Sequence, residues 1–449
     1  MREKILALET KKSINLQELF KKRPLNSIEP TANLDRIPSL DFLRGLAILG
    51  ILFINVENFA YPDSWSPWKY GFESDVDRDT RFWVYFLTQG KFYTLFALLF
   101  GVSFTIFPER LAKKKQGLLA MDLYARRLLW LFVIGVVHAY FIWEGDVLYH
   151  YAICGFLLFP FRSMNSRSLC LVAGILSLVL LSNTYRLTSK RIDSYQMFCE
   201  TQSIPKEKWT PEQEKQHSYW TAKSQIQSPD TAYYAAPKPT YVRGLIDSYE
   251  RSTLHKGTIY HTGLLFRSLL IMIIGMLLYR SGIFQDYTHW KRYWLISFSV
   301  LILGLVMNFL RYHQWTYEYN VPILHYGRAT LFTFPKEILG LGYLLVFNGL
   351  FQRYLTRLRI KVISTIGKMA LSNYILQNVV AGFIFYGYGL NKFNSFTRFE
   401  LLSVVAIIWA IQILLNLVWS RTFSRGPLES LWRKLTYFES ITPQTNQAQ

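Results

Sequence analysis

The sequence predicts an all-α fold, a polytopic bundle of about ten transmembrane helices with a long insertion outside the membrane. Hydrophobic residues make up 51% of the 449 residues, and they occur in long blocks rather than at the spacing of soluble strands or helices. Short runs of lysine and arginine separate these blocks and account for the net charge of +20. Such runs usually orient membrane helices, so we expect membrane lipids and no nucleic acid as partners.

Ten segments have the length that a membrane-spanning helix needs: 39–60, 86–107, 128–143, 147–162, 168–185, 264–281, 293–311, 330–350, 364–388 and 401–420. The third and fourth are short and joined by only Glu144, Gly145 and Asp146, which predicts a tight helical hairpin. Basic residues cluster in the loops that alternation places on one side, and acidic residues dominate the opposite loops. By the positive-inside rule, both termini are expected in the cytoplasm.

This topology divides the chain into five parts. They are a basic cytoplasmic tail at 1–36, an N-terminal membrane half of five helices at 37–185, an extracytoplasmic loop or cap at 186–262, a C-terminal membrane half at 263–437 and a polar tail at 438–449. The first tail has no continuous apolar run or small-residue cleavage site, so we expect no signal peptide. The loop is long enough to cover the outer face or to bind a partner. The cysteines lack zinc or disulfide spacing, so no metal site is predicted.

The first apolar segment carries more polar residues than an anchor needs. Asp41 and Arg44 lie at its start, and Asn55, Glu57 and Asn58 lie at its end. In a helix, Arg44 and Asn55 share one face, ~20° apart in angle and ~16 Å apart along the axis. Lipid would leave such side chains desolvated, so this face is expected to meet the bundle interior or a wet cavity. The alternative is that Arg44 reaches the headgroups and Asn55 caps the helix.

Further candidates lie in the predicted hairpin and the second helix. His138 sits inside an apolar span, and Asp146 and His150 follow it at positions i and i+4 of the next helix. An intramembrane histidine suits proton transfer near neutral pH, and a carboxylate can fix its tautomer. For either histidine, the alternative is a structural hydrogen bond to a neighbouring helix. Lys91 follows Gly90 and can either neutralise an anion or reach the membrane interface.

Five blocks, in this order, resemble the bacterial YeiB-like family, also called domain of unknown function 418: LDFLRGLAILGILFINVENF, GKFYTLFALLFGVSF, RRLLWLFVIGVVHAYFIWEGDVLYHYAICG, GKMALSNYILQNVVAGFIFYGYG and GPLESLWRKLTY. The resemblance covers most of residues 36–437 and implies a multi-pass protein of the bacterial inner membrane. The family is similar to transmembrane acyltransferases, which include heparan-alpha-glucosaminide N-acetyltransferase. In the O-acyltransferase relatives, a basic residue of the first helix is followed, after ten positions, by a histidine. Arg44 matches the basic residue, whereas Asn55 replaces the histidine.

The resemblance implies an acyltransferase that moves an acyl group from cytoplasmic acyl-CoA, such as acetyl-CoA, to an extracytoplasmic glycan or lipid-linked acceptor. An amide cannot act as a general base, so His138, oriented by Asp146, is expected to deprotonate the acceptor or to carry the acyl group. Arg44 is expected to bind a CoA phosphate. Asn55 or Lys91 is expected to stabilise developing negative charge.

Two alternatives remain open from the sequence. In a transporter or flippase, the same polar residues would line a path for an anionic or lipid-linked solute. In a structural or sensory component, the long outer loop would bind a partner. The sequence also leaves open whether the chain forms a homo-oligomer.

Overall fold

The computed structural model describes residues 37–61, 72, 74–113, 117–224, 263–319, 321–355 and 361–437. These residues form fifteen α-helices and no strand, which confirms the predicted all-α class. The helices are α1 Pro38–Ala60, α2 Asp75–Leu87, α3 Lys91–Lys113, α4 Gly117–Phe141, α5 Leu148–Leu158, α6 Ser166–Thr201, α7 Pro211–Ser224, α8 Gly263–Arg280, α9 Tyr293–Tyr317, α10 Tyr326–Leu331, α11 Pro335–Leu350, α12 Lys361–Lys368, α13 Ala370–Phe385, α14 Glu400–Thr422 and α15 Pro427–Tyr437.

Eight stretches of the described chain are long and apolar enough to cross a membrane. They are Pro38–Ala60, Asp75–Phe107, Met121–Phe141, Ser166–Thr201, Gly263–Arg280, Tyr293–Tyr317, Tyr326–Tyr354 and Glu400–Thr422. These correspond to eight of the ten predicted segments, and the other two form the short helices α5 and α13. The chain is therefore a multi-pass membrane protein.

Some helix boundaries differ from the sequence prediction. The predicted span 86–107 is broken by a turn at residues 88–90, where Gly90 has a φ of 81° that other residues rarely adopt. Lys91 therefore begins α3. The helix that was predicted to end at residue 185 continues to Thr201, because residues 186–201 contain no glycine or proline to stop it.

The extension of α6 packs against α7, within the segment that the sequence assigns to an outer loop or cap. The rings of Tyr195 and Trp220 lie 5.1 Å apart, and the Trp220 indole donates a hydrogen bond to Ser194. The predicted parts 1–36 and 438–449, and residues 225–262 of the predicted cap, lie outside the described residues.

Glycines allow close crossings between the membrane helices. A Cβ atom at Gly45 of α1 or at Gly367 of α12 would overlap backbone atoms of the opposite helix. Gly101 of α3 and Gly275 of α8 form a second crossing of the same kind. Small residues bring membrane helices together in this way because the attraction between them depends on close contact. The crossings fix α1, which carries both Arg44 and Asn55, within the bundle.

We call the end of the bundle where α1 and α4 begin the basic end, and the end where they finish the acidic end. At the basic end, the indole of Trp432 in α15 donates a hydrogen bond to the carbonyl oxygen of Arg127 in α4. At the acidic end, the hydroxyl of Tyr61 donates to the carbonyl oxygen of Phe396, just before α14. These contacts tie the N-terminal and C-terminal membrane halves together at both ends.

Candidate functional site

A buried histidine and a buried aspartate meet between α4 and α5. His138 lies on the last turn of α4, and Asp146 lies two residues before α5. Nδ1 of His138 is 2.9 Å from Oδ1 of Asp146, and the two side chains are 1% and 0% exposed. The atoms are within ion-pair distance, although the angle at the ring nitrogen does not suit a hydrogen bond. We call these two residues the His138–Asp146 couple.

The turn between the two helices places Asp146. The carbonyl oxygen of His138 accepts hydrogen bonds from the backbone N–H groups of Ile142 and Trp143, so α4 ends abruptly. The other carboxylate oxygen of Asp146 accepts a hydrogen bond of 3.0 Å from the backbone N–H of Tyr149. Asp146 therefore holds the first turn of α5 with one oxygen and faces His138 with the other.

Asn378 of α13 lies on the opposite side of the imidazole. Its Nδ2 is 2.9 Å from Nε2 of His138, and the amide is fully buried. If this amide nitrogen donates to Nε2, the imidazole is neutral and its proton is on Nδ1, facing Asp146. Oδ1 of Asn378 has no hydrogen-bond partner among the described residues, and the ring of Tyr374 lies 5.2 Å from the imidazole. The site thus combines the imidazole of His138, the carboxylate of Asp146 and the amide of Asn378.

Asn55 lies inside α1, on the face that meets the helices of the couple. Ile48 is seven residues earlier and within ~20° of the same face, and its carbonyl oxygen accepts a hydrogen bond from Gln377. Beyond Asn55, Phe59 stacks on Trp143 in the turn of the couple, with ring centres 4.8 Å apart. Asn55 is buried, and its Nδ2 has no hydrogen-bond partner among the described residues. It does not cap α1, which continues for five more residues.

Arg44 lies at the opposite, basic end of the bundle. Its Nη1 is 3.1 Å from Oδ1 of Asp41, and its Nη2 donates a hydrogen bond of 2.7 Å to Ser103 in α3. The side chain is 27% exposed, so it points into the bundle rather than along its surface. Arg127 is close enough for the two positive charges to repel each other. The structure therefore separates Arg44 from the His138–Asp146 couple, as the axial spacing on α1 predicts.

Lys91 and His150 have partners of their own. Nζ of Lys91 donates a hydrogen bond of 2.8 Å to the carbonyl oxygen of Tyr85 and lies 4.1 Å from the ring centre of Tyr312. The lysine is fully buried, so it does not reach the membrane interface. Nε2 of His150 is 2.8 Å from the hydroxyl of Ser268 in α8, which is the structural alternative expected for this histidine.

The sequence alone did not single out Asn378 as the partner of His138. Its signal was present in α13, where Asn373, Gln377 and Asn378 interrupt an apolar segment. All three amides are buried, and Gln377 pairs with Gln412 of α14 at 2.9 Å. Within the described part of the chain, no group of three or more histidine, cysteine, aspartate or glutamate side chains has the placement to hold a metal ion.

Comparison with known proteins identifies the family. Residues 278–439 match the family described as "Protein of unknown function (DUF418)". The uncharacterized protein YxaH of Bacillus subtilis is 29% identical over 440 residues, which cover 92% of this chain and 97% of that protein. The chain is therefore similar to the YeiB-like DUF418 family along most of its length.

Two further relatives also match most of the chain. The uncharacterized protein YeiB of Escherichia coli is 29% identical over 416 residues, covering 90% of this chain and 97% of its own. An uncharacterized 39.9 kDa protein encoded in the amylase 3' region of Bacillus acidopullulyticus is 26% identical over 413 residues. No solved structure matches. The resemblance to the YeiB-like DUF418 family that the five sequence blocks indicated is confirmed, and the similarity to acyltransferases stays a prediction.

Proposed function

We propose that this YeiB-like protein is an integral membrane acyltransferase of the bacterial inner membrane. It would take an acyl group from acyl-CoA at the basic end and deliver it to a hydroxyl or amine of a glycan or lipid-linked acceptor at the acidic end. The observation that carries the proposal is the buried His138–Asp146 couple, which combines a proton acceptor with a carboxylate 2.9 Å away. By the positive-inside rule, the basic end is expected to face the cytoplasm, where acyl-CoA is found.

His138 would transfer the proton of the acceptor. The acceptor hydroxyl takes the place of the Asn378 amide at Nε2, gives its proton to that nitrogen and attacks the thioester carbonyl carbon with its oxygen. The carbon–sulfur bond breaks, and the CoA thiolate takes the proton back from Nε2. Asp146 stabilises the imidazolium that exists between these two events, because its carboxylate lies next to Nδ1.

Arg44 and Asn55 would bind the donor along one face of α1. A guanidinium suits a CoA phosphate, and Arg44 is partly exposed at the basic end, with Arg127 adding positive charge nearby. The two side chains are ~16 Å apart along the helix, so the donor must lie along α1 for its thioester to reach the couple. Nδ2 of Asn55 lacks a partner among the described residues and can donate to the carbonyl oxygen as it becomes negative.

One observation favours a second candidate, a transporter or flippase. Arg81 and Lys91 are buried cations on consecutive helices within one membrane-spanning stretch, and each is at most 1% exposed. Charged side chains inside a membrane segment often mark the path of an ion or solute. The contacts of Lys91 are separate from those of the His138–Asp146 couple, so this candidate does not need the couple.

The deciding experiment is a calorimetric titration of the detergent-purified full chain with acetyl-CoA and with free CoA. We expect saturable binding that Arg44→Ala weakens at least about tenfold and that His138→Ala leaves within a factor of about two. Arg126→Ala is the matched control at the basic end, because it removes a second arginine at that end, one that pairs with Asp122, four residues earlier. If no CoA species binds to the folded wild type, the acyltransferase proposal is wrong, and solute flux in proteoliposomes becomes the test of the transporter.

A further inference from the structure

A narrow cleft with a cavity volume of about 20 Å³ lies at the acidic end between α1, α2 and α14. It is lined by the polar side chains Glu57, Thr80, Arg81 and Arg398 and by apolar side chains such as Phe53 and Val405. Glu57 is ~200° around α1 from Asn55, so the cleft and the His138–Asp146 couple lie on different faces of that helix. The cleft is therefore a separate place on the molecule, and a ligand bound there would not depend on acyl transfer.

Arg81 is a buried cation with half of its hydrogen-bonding capacity unused. It is 1% exposed, and its Nη1 donates a hydrogen bond of 3.2 Å to the hydroxyl of Thr316. Nε and Nη2 have no hydrogen-bond partner among the described residues. These two nitrogens form one edge of the guanidinium, the edge that binds two oxygens side by side. The rings of Tyr85 and Trp315, 4.2 and 5.2 Å from the guanidinium carbon, offset only part of the cost of burial.

The acidic side chains around the cleft are already engaged. Asp77 accepts hydrogen bonds from the backbone N–H of Phe399 and from Ser74. Asp79 contacts Arg78 on the surface. Glu57 pairs with Arg398 at the cleft wall.

The cleft therefore holds two guanidinium groups and one carboxylate, and Arg81 is the cation without a counter-ion among the residues that line it. Burial also lowers the pKa of Arg398, to about 10, because it removes the guanidinium from water. An unpaired buried charge is costly, so an anionic group in the cleft would stabilise the protein.

We propose that the cleft binds an anionic amphiphile, with a phosphate or carboxylate headgroup on Nε and Nη2 of Arg81. The two oxygens of either headgroup match the open edge of the guanidinium. The apolar side chains of α1, α2 and α14 that line the narrow cleft would contact the start of a hydrocarbon chain, and the rest of the chain would lie in the membrane. A free inorganic anion would use only the polar part of the cleft.

The test compares ligands that share one chain and differ in headgroup. The thermal unfolding midpoint of the detergent-purified full chain is measured with dodecyl phosphate, dodecanoate, dodecanol and inorganic phosphate. We expect dodecyl phosphate, dodecanoate or both to raise the midpoint saturably, and the stronger of the two identifies the headgroup. An equal effect of dodecanol would overturn the role of Arg81. An equal effect of inorganic phosphate would overturn the role of the chain.

Variants locate the binding. Arg81→Met keeps the bulk of the side chain without its charge and is expected to weaken binding at least about tenfold. The control is Arg78→Met, which removes a surface cation of the same helix that pairs with Asp75. Unchanged binding in Arg81→Met would refute the site.

A second pair of variants tests the site if Arg81→Met does not fold. Leu402→Trp fills the cleft from α14 without touching Arg81, and it is expected to abolish the shift. Ile407→Trp, on the same helix at a position 56% exposed, is expected to leave the shift intact. Binding that survives in Leu402→Trp would place the ligand elsewhere and reject the proposal.

Discussion

Nδ1 of His138 lies 2.9 Å from Oδ1 of Asp146, although His138 is on the last turn of α4 and Asp146 lies beyond the chain reversal, just before α5. The contact forms because α4 ends one turn after His138 and the chain reverses before Asp146. A continuous helix would separate the two residues by more than two turns. The reversal between α4 and α5 therefore builds the couple.

Replacing Asp146 by Asn is expected to lower the rate of acyl transfer by about 10²- to 10⁴-fold. The amide oxygen can still accept from Tyr149, so the first turn of α5 is kept, whereas the charge that stabilises the imidazolium is lost. The measurement is transfer of labelled acetyl from acetyl-CoA to the membrane fraction of vesicles that contain the protein. His150→Gln is the control, because His150 contacts Ser268 instead of the couple. A wild-type rate in Asp146→Asn would remove Asp146 from the mechanism.

Replacing Asn55 by Leu should separate stability from activity. The side chains of Asn and Leu are similar in size, and Nδ2 of Asn55 has no hydrogen-bond partner among the described residues. The free energy of unfolding of the variant is therefore expected to lie within about 1 kcal/mol of the wild-type value. Loss of one donor to the developing oxyanion is expected to slow acetyl transfer about 10²- to 10³-fold.

The readouts for Asn55→Leu are the unfolding midpoint and the same vesicle assay. Asn183→Leu on α6 serves as the control, because its amide oxygen accepts a hydrogen bond from Arg186, on the same helix. A strongly destabilised Asn55→Leu, or one with full activity, would contradict the role given to Asn55.

The sequence predicted the helices well because length and apolar content decide whether a segment can cross a bilayer. It also put His138 and Asp146 on either side of a short turn, but it left open whether the two side chains are in contact. It could not identify Asn378, which is 240 residues from His138 along the chain. That contact depends on the rotation of α13, and neighbouring helices set this rotation. The cleft at Arg81 was missed for the same reason, because three separate helices form it.

The close crossing of α1 and α12 gives a stability prediction. A Cβ at Gly367 would overlap the carbonyl oxygen of Asp41, so Gly367→Ala is expected to lower the free energy of unfolding by about 1–3 kcal/mol or more. Gly174→Ala on α6 is the control, because no atom lies within 4 Å of the added methyl group. Thermal unfolding of both variants checks this. If Gly367→Ala is as stable as Gly174→Ala, the helices do not touch as described.

Glu429 gives a prediction for the pH dependence of stability. Its carboxylate, on α15, accepts hydrogen bonds from the backbone N–H groups of Leu371 and Ser372 and so holds the start of α13. Burial nevertheless raises the pKa of Glu429 above its ordinary value of 4.5, because desolvation outweighs these hydrogen bonds. The folded state thus holds this proton more tightly than the unfolded state does.

The contribution of Glu429 to stability is therefore greatest below its ordinary pKa and declines as the pH rises through the raised value. Gln keeps an acceptor oxygen and does not titrate, so the unfolding midpoint of wild type relative to Glu429→Gln should fall as the pH rises from below the ordinary pKa of 4.5 through the raised pKa. The control is Glu212→Gln, at an exposed position on α7. The difference in unfolding midpoint between wild type and Glu212→Gln should not change with pH. A difference between wild type and Glu429→Gln that is constant or rises with pH would mean that the hydrogen bonds to α13, and not burial, control the charge of Glu429.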